Sequence, residues 1–206
     1  MPFLKNSWYV AAQSHELADD VLGRTICGEP VVLFRKQDGT PAALEDRCCH
    51  RHLPLSLGQR VGDRVQCGYH GLEFDTEGTC VSVPGQSKVP PGAAIRAFPV
   101  VERYRYIWIW PGDPAEADES QIPDYHWNDD PSWKSNTGYF YVECNHQLVV
   151  DNLLDLSHVQ FVHASTLGAD GVSDAPLDTR REENKVHIDR WIMDKLPPAM
   201  FASARD

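Results

Sequence analysis

Two cysteines and two histidines stand in the pattern C-x-H and then C-x-x-H, with sixteen residues between the two groups: Cys48, His50, Cys67 and His70. A [2Fe–2S] cluster of the Rieske type is held by two thiolates on one iron and two imidazoles on the other. Two loops that each supply one Cys and one His meet that requirement. The pattern therefore predicts such a cluster and, with it, electron transfer.

A structural zinc ion is the alternative for these four side chains, because two Cys and two His also form tetrahedral zinc sites. Zinc ligand pairs are more often separated by about two to four residues, so C-x-H disfavours zinc. Cys49 lies between the first two ligands but does not complete the pattern. Gly68 and Gly71 would let the second loop pack closely beside the cluster, and Pro54 would stiffen the first loop.

A second pattern, D-x-x-H-x-x-x-x-H, is formed by Asp155, His158 and His163. Two His and a carboxylate make the facial triad of non-haem Fe(II) oxygenases, which leaves positions open for O₂. On a regular helix His158 and His163 would lie about 140° apart, so the helix is predicted to end or distort between them. The spacing also disfavours an H-E-x-x-H zinc protease. Two unrelated surface His near a helix end are the alternative.

The elements that must position these residues are mostly short strands in the first part of the chain, where apolar runs alternate with Gly- and Pro-containing turns. The predicted strands are residues 8–12, 24–27, 31–35, 95–101 and 105–110. An acidic stretch with Pro and Gly, residues 111–120, indicates a linker and a domain boundary near residue 120. Beyond it we expect a strand at 139–143, a helix at 146–159 and a strand at 186–192.

The composition is that of an ordinary soluble globular protein, with 42% apolar and 24% charged residues among 206. A formal net charge of -11 argues against a nucleic-acid-binding surface. No apolar run is long enough to span a membrane, and the start of the chain has no signal-peptide pattern, so the cytoplasm is the expected location. The six Cys are therefore expected to be thiols or metal ligands rather than disulfides.

The two motifs resemble those of the Rieske non-haem iron oxygenases. Residues 48–58 and 67–74 are similar to the Rieske domain of ring-hydroxylating and O-demethylating members, except that Cys49 stands where the family usually has Pro. The sequence N-x-x-D-x-x-H-x-x-x-x-H, here beginning at Asn152, resembles the mononuclear-iron motif. Residues 6–12, 101–114 and 163–176 extend the similarity to oxygenase components of the vanillate O-demethylase type.

The resemblance implies a mainly β fold with some α structure. A small antiparallel β Rieske domain (ISP-like), residues 1–120, would be followed by residues 121–206 as the beginning of a truncated helix-grip α+β catalytic domain. The family's third iron ligand is an Asp that would lie beyond residue 206, so no carboxylate of this chain takes that role. An incomplete second domain predicts exposed apolar surface around Trp191, Ile192 and Phe201.

The resemblance also assigns roles to the second motif. His158 and His163 would bind the mononuclear Fe(II). Asp155, with Asn152 in the same catalytic motif, would connect a ligand of that iron to a Rieske His of the neighbouring subunit in a homotrimer. An outer carboxylate of this kind orients a ligating imidazole and tunes its basicity.

The function implied is that of the oxygenase component of a multicomponent monooxygenase. It would O-demethylate vanillate or a similar methoxylated aromatic acid with O₂, using electrons that a separate flavin/iron–sulfur reductase takes from NADH. The alternative is a ferredoxin-like electron-transfer protein without oxygenase activity, because the chain lacks a third iron ligand. A structural zinc protein is a further alternative.

Overall fold

The protein is described by a computed structural model that covers residues 3–18, 20–183 and 185–203. The chain forms two compact units, of which the first ends at Thr137 and the second begins at Gly138. The acidic stretch that predicted a linker packs on the first unit, since Trp8 Nε1 donates to the carbonyl of Asp118 at 2.8 Å and Ile122 is buried. The domain boundary near residue 120 stays a prediction.

Three antiparallel sheets make up the first unit. The strands are β1 (Tyr9–Gln13), β2 (Leu22–Ile26), β3 (Glu29–Arg35), β4 (Pro41–Glu45), β5 (Gln59–Val61), β6 (Arg64–Gln66), β7 (Glu73–Phe74), β8 (Cys80–Ser82), β9 (Val100–Arg103) and β10 (Tyr106–Ile109). The sheet orders are β2-β3-β4, β5-β6-β7-β8 and β1-β10-β9. The expectation of a mainly β fold built from short antiparallel strands is confirmed.

Strand β3 separates two parts of the core of the first unit. Successive side chains of a strand point to opposite faces, and here Val32 and Phe34 pack with Cys48 and Cys67, the two predicted thiolate ligands. The alternate residues of β3 pack instead with apolar residues of β1 and β10. Because β3 is buried on both faces, it reads as a continuous apolar run and anchors the cluster loops to the rest of the unit.

The second unit contains three short helices and one hairpin. They are α1 (His146–Leu154), α2 (Val159–Val162), β11 (Leu177–Glu182), β12 (Lys185–Arg190) and α3 (Ala199–Ser203). Strands β11 and β12 pair antiparallel. Trp191 is 79% exposed and Phe201 56%, which confirms the predicted apolar surface, whereas Ile192 is only partly exposed.

Several predicted elements differ from the structure. Residues 139–143 form no strand, and Tyr139 and Phe140 are almost fully exposed, because β-forming side chains need a paired strand to pack against. The predicted helix at 146–159 breaks at Asp155. Of the strand predicted at 95–101 only the last part belongs to β9, although Glu45 donates a backbone hydrogen bond to the carbonyl of Arg96 at 2.7 Å. No helix in the described ranges is long and apolar enough to cross a membrane.

The turn between β2 and β3 gives the first testable prediction. Ile26 pairs with Glu29, and both residues between them have positive φ, 50° at Cys27 and 78° at Gly28. This is the geometry of a two-residue type I′ turn, which strongly prefers Asn-Gly. Cys27→Asn is therefore expected to stabilise the protein by about 0.5–1 kcal/mol, seen as a higher midpoint of thermal unfolding.

The control is Gly28→Ala, which places a Cβ in the left-handed region and should lower the midpoint of thermal unfolding by a comparable or larger free energy. A Cys27→Asn variant that unfolds at a lower temperature than the natural protein would contradict the turn assignment.

Candidate metal centres

The first predicted cluster loop follows β4 and is closed by backbone hydrogen bonds. The N–H of Cys48 donates to the carbonyl of Leu53, and the N–H of His52 donates to the carbonyl of Cys48, both at 2.9 Å. The carboxylate of Asp46 accepts from the N–H and the hydroxyl of Ser56 at 2.7 and 2.6 Å. The two ends of the loop are thereby tied together, so its ligands are held by backbone geometry rather than by side-chain packing alone.

The second loop repeats the same turn between β6 and β7. The N–H of Cys67 donates to the carbonyl of Leu72 at 2.8 Å, and the N–H of Gly71 donates to the carbonyl of Cys67 at 3.0 Å. Four residues after each Cys the backbone is left-handed, with φ of 59° at His52 and 72° at Gly71. Each loop thus turns its thiol inward by the same local fold, although the first loop uses a non-glycine residue at the strained position.

The two loops also lie directly against each other. A Cβ on Gly68 would stand 2.7 Å from the carbonyl oxygen of Leu57, closer than any real Cβ contact. Glycine at this position therefore permits the two loops to pack closely, while the packing of Gly68 and Gly71 beside a cluster stays a prediction. Leu57 ends a short 3₁₀ turn that begins directly after Pro54.

The thiols of Cys48 and Cys67 are buried, with 2% and 3% of each residue exposed. Burial raises the pKa of the Cys48 thiol to about 11, with the neighbouring Cys67 thiol adding to the effect and the N–H of His50 opposing it. In the absence of a metal Cys48 is thus a neutral thiol. Metal ligation requires the thiolate, so binding of a cluster must release its proton.

The imidazoles of His50 and His70 lie side by side at the surface. Both residues are exposed, their ring centroids are 4.6 Å apart, and the ring of Tyr69 covers His70 at 3.8 Å. A buried sulfur pair beside an exposed imidazole pair is the donor set that a two-iron cluster with one Cys₂ iron and one His₂ iron requires. The four residues therefore fit the cluster, as two pairs rather than as four ligands of one ion.

A cavity of about 470 Å³ opens beside the imidazole pair. Its walls are formed by Cys49, His50, His70, Leu72, Val83, Pro84, Gln86, Pro90, Pro91, Gly92 and Ala93. The proline-containing segment 83–93 was not singled out by the sequence patterns. It gives the imidazole side of the predicted cluster an apolar rim.

In the second unit the helix breaks where the second motif begins. Helix α1 ends at Leu154, and Asp155 has φ −95° and ψ 90°, outside helical geometry. A 3₁₀ turn ends at His158, α2 follows, and His163 lies just after its end. The predicted distortion between the two His is confirmed, and the ring centroids of His158 and His163 come within 5.4 Å of each other.

The break also orients His158. Its Nδ1 lies 2.5 Å from the backbone carbonyl oxygen of Asp155. Because a carbonyl oxygen can only accept, Nδ1 must carry the proton, and the lone pair of Nε2 is left for a metal. The His158 and His163 pair therefore fits two ligands of a mononuclear ion, with the backbone supplying the outer contact that such ligands usually have.

The carboxylate of Asp155 has a different neighbour. Its Oδ1 accepts from the N–H and the hydroxyl of Ser157 at 3.0 and 2.5 Å, which lowers the pKa of the carboxyl, and the charges of His158 and Arg190 add to that shift. Oδ2 has no hydrogen bond within the part of the chain that the structure describes. The predicted bridge to a neighbouring subunit stays a prediction.

Other members of the predicted site remain apart. Asn152 lies exposed in the last turn of α1. Among residues 3–18, 20–183 and 185–203, no group of three or more His, Cys, Asp and Glu side chains converges on a single ion. The position of a third carboxylate ligand for the mononuclear iron stays a prediction.

Two residues that shape these sites were missed. His52, which the sequence patterns did not single out, occupies the left-handed position that closes the first cluster loop. Ser157 fixes the carboxylate of Asp155, and the D-x-S spacing typical of a turn capped by its own Asp side chain could have revealed it.

Two protein families match this chain. Residues 7–99 match the Rieske [2Fe-2S] domain, and residues 142–206 match the vanillate O-demethylase oxygenase C-terminal domain. The first match contains the four residues of the cluster loops, and the second contains His158 and His163. Each family therefore covers one of the two groups of predicted ligands.

Similar proteins include three oxygenase subunits. The chain is 46% identical to the toluene-4-sulfonate monooxygenase system iron-sulfur subunit of Comamonas testosteroni, over 93% of this chain and 56% of that protein. It is 42% identical to the vanillate O-demethylase oxygenase subunit of a Pseudomonas species, over 98% and 57%. It is 51% identical to the dicamba O-demethylase oxygenase component of Stenotrophomonas maltophilia, over 82% and 50%. The chain thus spans about half the length of these curated relatives.

Solved structures agree with this assignment. The crystal structure of dicamba monooxygenase bound to dicamba superposes with a TM-score of 0.88 at 43% identity, covering 100% of this chain and 62% of that chain. The fold of the chain is therefore that of a Rieske-type oxygenase, with few helices beside antiparallel sheets.

Adjacent cysteines provide a matched test of the cluster. Cys48→Ser is expected to remove about two irons per chain together with the electron paramagnetic resonance signal of the reduced cluster. Cys49→Ser should keep both, because Cys49 lines the cavity wall and lies outside the ligand pattern. Iron analysis and the spectrum of the reduced protein measure the difference. Equal loss of iron in both variants would contradict the ligand assignment.

Proposed function

This chain belongs to the Rieske non-haem iron oxygenases, and we propose that it acts in the oxygenase component of a multicomponent monooxygenase that O-demethylates a methoxylated aromatic acid such as vanillate. The observation that carries the proposal is the presence of two separate ligand groups on one chain. One group pairs buried thiols with exposed imidazoles, and the other brings His158 and His163 within 5.4 Å. An electron carrier needs only the first group.

The names of the three relatives described above support an aromatic acid as the substrate. Toluene-4-sulfonate, vanillate and dicamba appear in those names, and all three are aromatic compounds that carry an acidic group. In an O-demethylation, the methyl carbon gains one oxygen atom from O₂ and the hemiacetal formed breaks down to a phenol and formaldehyde. The other oxygen atom leaves as water, with two electrons from NADH and two protons.

The two groups of residues described above would hold different metal centres. Cys48, Cys67, His50 and His70 would hold the cluster, and His158 and His163 would hold the iron. When bound, the cluster supplies one-electron transfer and the iron supplies O₂ activation. The exposed edges of His50 and His70 provide the exit for electrons. The carbonyl of Asp155 keeps His158 in the tautomer that can bind a metal.

Partners follow from this division. Electrons would come from NADH through a separate flavin/iron–sulfur reductase, so we place the protein in the cytoplasm, where NADH is available. We further propose a homotrimer in which Oδ2 of Asp155 accepts a hydrogen bond from a Rieske His of the neighbouring subunit. The free Oδ2 supports this role, because Ser157 already uses the other oxygen. The third ligand of the iron would come from outside the described residues.

The alternative function is electron transfer without oxygenase chemistry. It would need only the four residues of the cluster loops, which lie within the Rieske match. About two irons per chain would fit a carrier, and about three would fit an oxygenase. A structural zinc protein would contain no iron at all.

Formaldehyde release tests the proposed activity. With a reductase, NADH and O₂, the iron-loaded protein is expected to release one formaldehyde for each NADH oxidised when vanillate or 4-methoxybenzoate is supplied. Omitting the substrate should uncouple NADH oxidation from product. Reduction of the cluster at a normal rate without any formaldehyde would favour the electron carrier instead.

Asp155→Asn tests the bridge. The amide oxygen of Asn can still accept from Ser157, and the backbone carbonyl still orients His158, so we expect the iron content to be unchanged. The coupled rate should fall roughly ten- to hundred-fold, because the outer carboxylate is lost.

Asp151→Asn is the matched control, since Asp151 is exposed on α1 and its carboxylate contacts only Gln147 among the described side chains. That variant should retain the coupled rate. A near-normal coupled rate in Asp155→Asn would exclude the bridging role.

A further inference from the structure

A second cavity lies within the second unit, beside the predicted mononuclear site. Its volume is about 320 Å³, at the small end of the range of ligand pockets, roughly 300–1,000 Å³. The lining residues are Leu154, Asp155, Leu156, Leu177, Ile188, Asp189, Arg190 and Trp191. Five of these eight side chains are apolar, so the cavity suits a small ring compound with one polar group.

Arg190 is the one cation among the lining residues. Its Nη1 donates to the backbone carbonyl of Val172, and its Nε is buried without a hydrogen-bond partner in the part of the chain described. The carbonyl is uncharged, and the described residues place no carboxylate in an ion pair with Arg190. The charges of Arg190 and the Asp155 carboxylate act on each other, but no ion pair joins them among the described residues, so the guanidinium keeps an unused donor.

Both acidic residues of the lining have partners of their own, although Oδ2 of Asp155 stays without a hydrogen bond among the described residues. Asp189 forms an ion pair with Arg180 at 3.0 Å, and Oδ1 of Asp155 is held by Ser157. A guanidinium can bind a carboxylate or sulfonate through two parallel hydrogen bonds, which a neutral ligand cannot reproduce. The cavity thus combines apolar walls with a cation that forms no ion pair among the described residues.

We propose that Arg190 anchors the acidic group of the aromatic substrate in this cavity, with the ring between the apolar walls that Leu156, Ile188 and Trp191 provide. This inference rests on the proposed function and deepens it, since it names the residue that selects acids over neutral aromatic compounds. Asp155 and Leu156 belong both to the cavity wall and to the segment that ends at His158. A ring held here therefore lies against the same short segment that presents the iron ligand.

The test compares two ligands of the same shape, 4-methoxybenzoate and the neutral 4-methoxybenzamide. Equilibrium binding to the iron-loaded holoprotein is measured by calorimetry and by the fluorescence of tryptophan, of which Trp191 lines the cavity. Arg190→Gln is expected to weaken binding of the acid by roughly ten- to hundred-fold and to leave binding of the amide nearly unchanged. Arg190→Lys should restore part of the affinity for the acid, because it keeps the charge but not the two-point geometry.

Arg181→Gln is the matched control, since it removes the same charge from the neighbouring strand, where Arg181 is exposed, donates to the backbone carbonyl of Glu183 and lies outside the cavity lining. It should leave binding of both ligands unchanged. Leu177→Trp fills the cavity from the position paired with Arg190 and keeps the guanidinium itself, and it should weaken both ligands together. This second variant keeps the proposal testable if Arg190→Gln disturbs the contact with Val172.

The outcomes separate the two proposals. Equal weakening of the acid and the amide in Arg190→Gln, unchanged binding of the acid, or unchanged binding of both ligands in Leu177→Trp would overturn the role of Arg190. If Arg190→Gln weakens binding of the acid alone, but the natural protein releases no formaldehyde, then the role of Arg190 stands and the proposed demethylation is wrong. If both the natural protein and Arg190→Gln release formaldehyde with the same KM for the acid, then the demethylation stands and the role of Arg190 is wrong.

Discussion

The backbone turn that repeats in the two cluster loops is the constraint on which the first unit depends. In each loop the N–H of a Cys bonds to the carbonyl five residues later, and the carbonyl of the same Cys accepts from the N–H four residues later. These bonds place a thiol inward without relying on its own packing. The neighbouring sheets then need only position the two similar turns next to each other. This explains how strands as short as β5 to β8 can support a metal centre.

The metal ligands could be proposed from the sequence because that proposal depends on residue spacing alone. The pattern that begins at Cys48 is unusual for zinc and usual for a two-iron cluster, and the step of five residues from His158 to His163 required a broken helix. Both expectations depend only on chain geometry. The strands near the first motif were also predictable, since turn residues separate their apolar runs.

What could not be predicted depends on contacts between distant residues. Residues 139–143 have strong β-forming side chains, yet no strand pairs with them in the described ranges. The left-handed backbone at His52 is imposed by loop closure, because nothing in its residue type requires it. The proposed role of Arg190 depends on its position in the cavity wall. The sequence alone gives no reason to distinguish Arg190 from Arg180 on the preceding strand.

The short turn at Asp155 has a consequence for assembly. Two hydrogen bonds from Ser157 hold one carboxylate oxygen before any partner arrives, so the side chain has few rotamers left to lose. Association normally costs about 0.5–1.5 kcal/mol for each side chain that must be immobilised. A neighbour that binds the other oxygen would meet an acceptor that is already fixed in direction. In the proposed homotrimer, the same turn that bends the chain before His158 would thus lower the entropic cost of joining subunits.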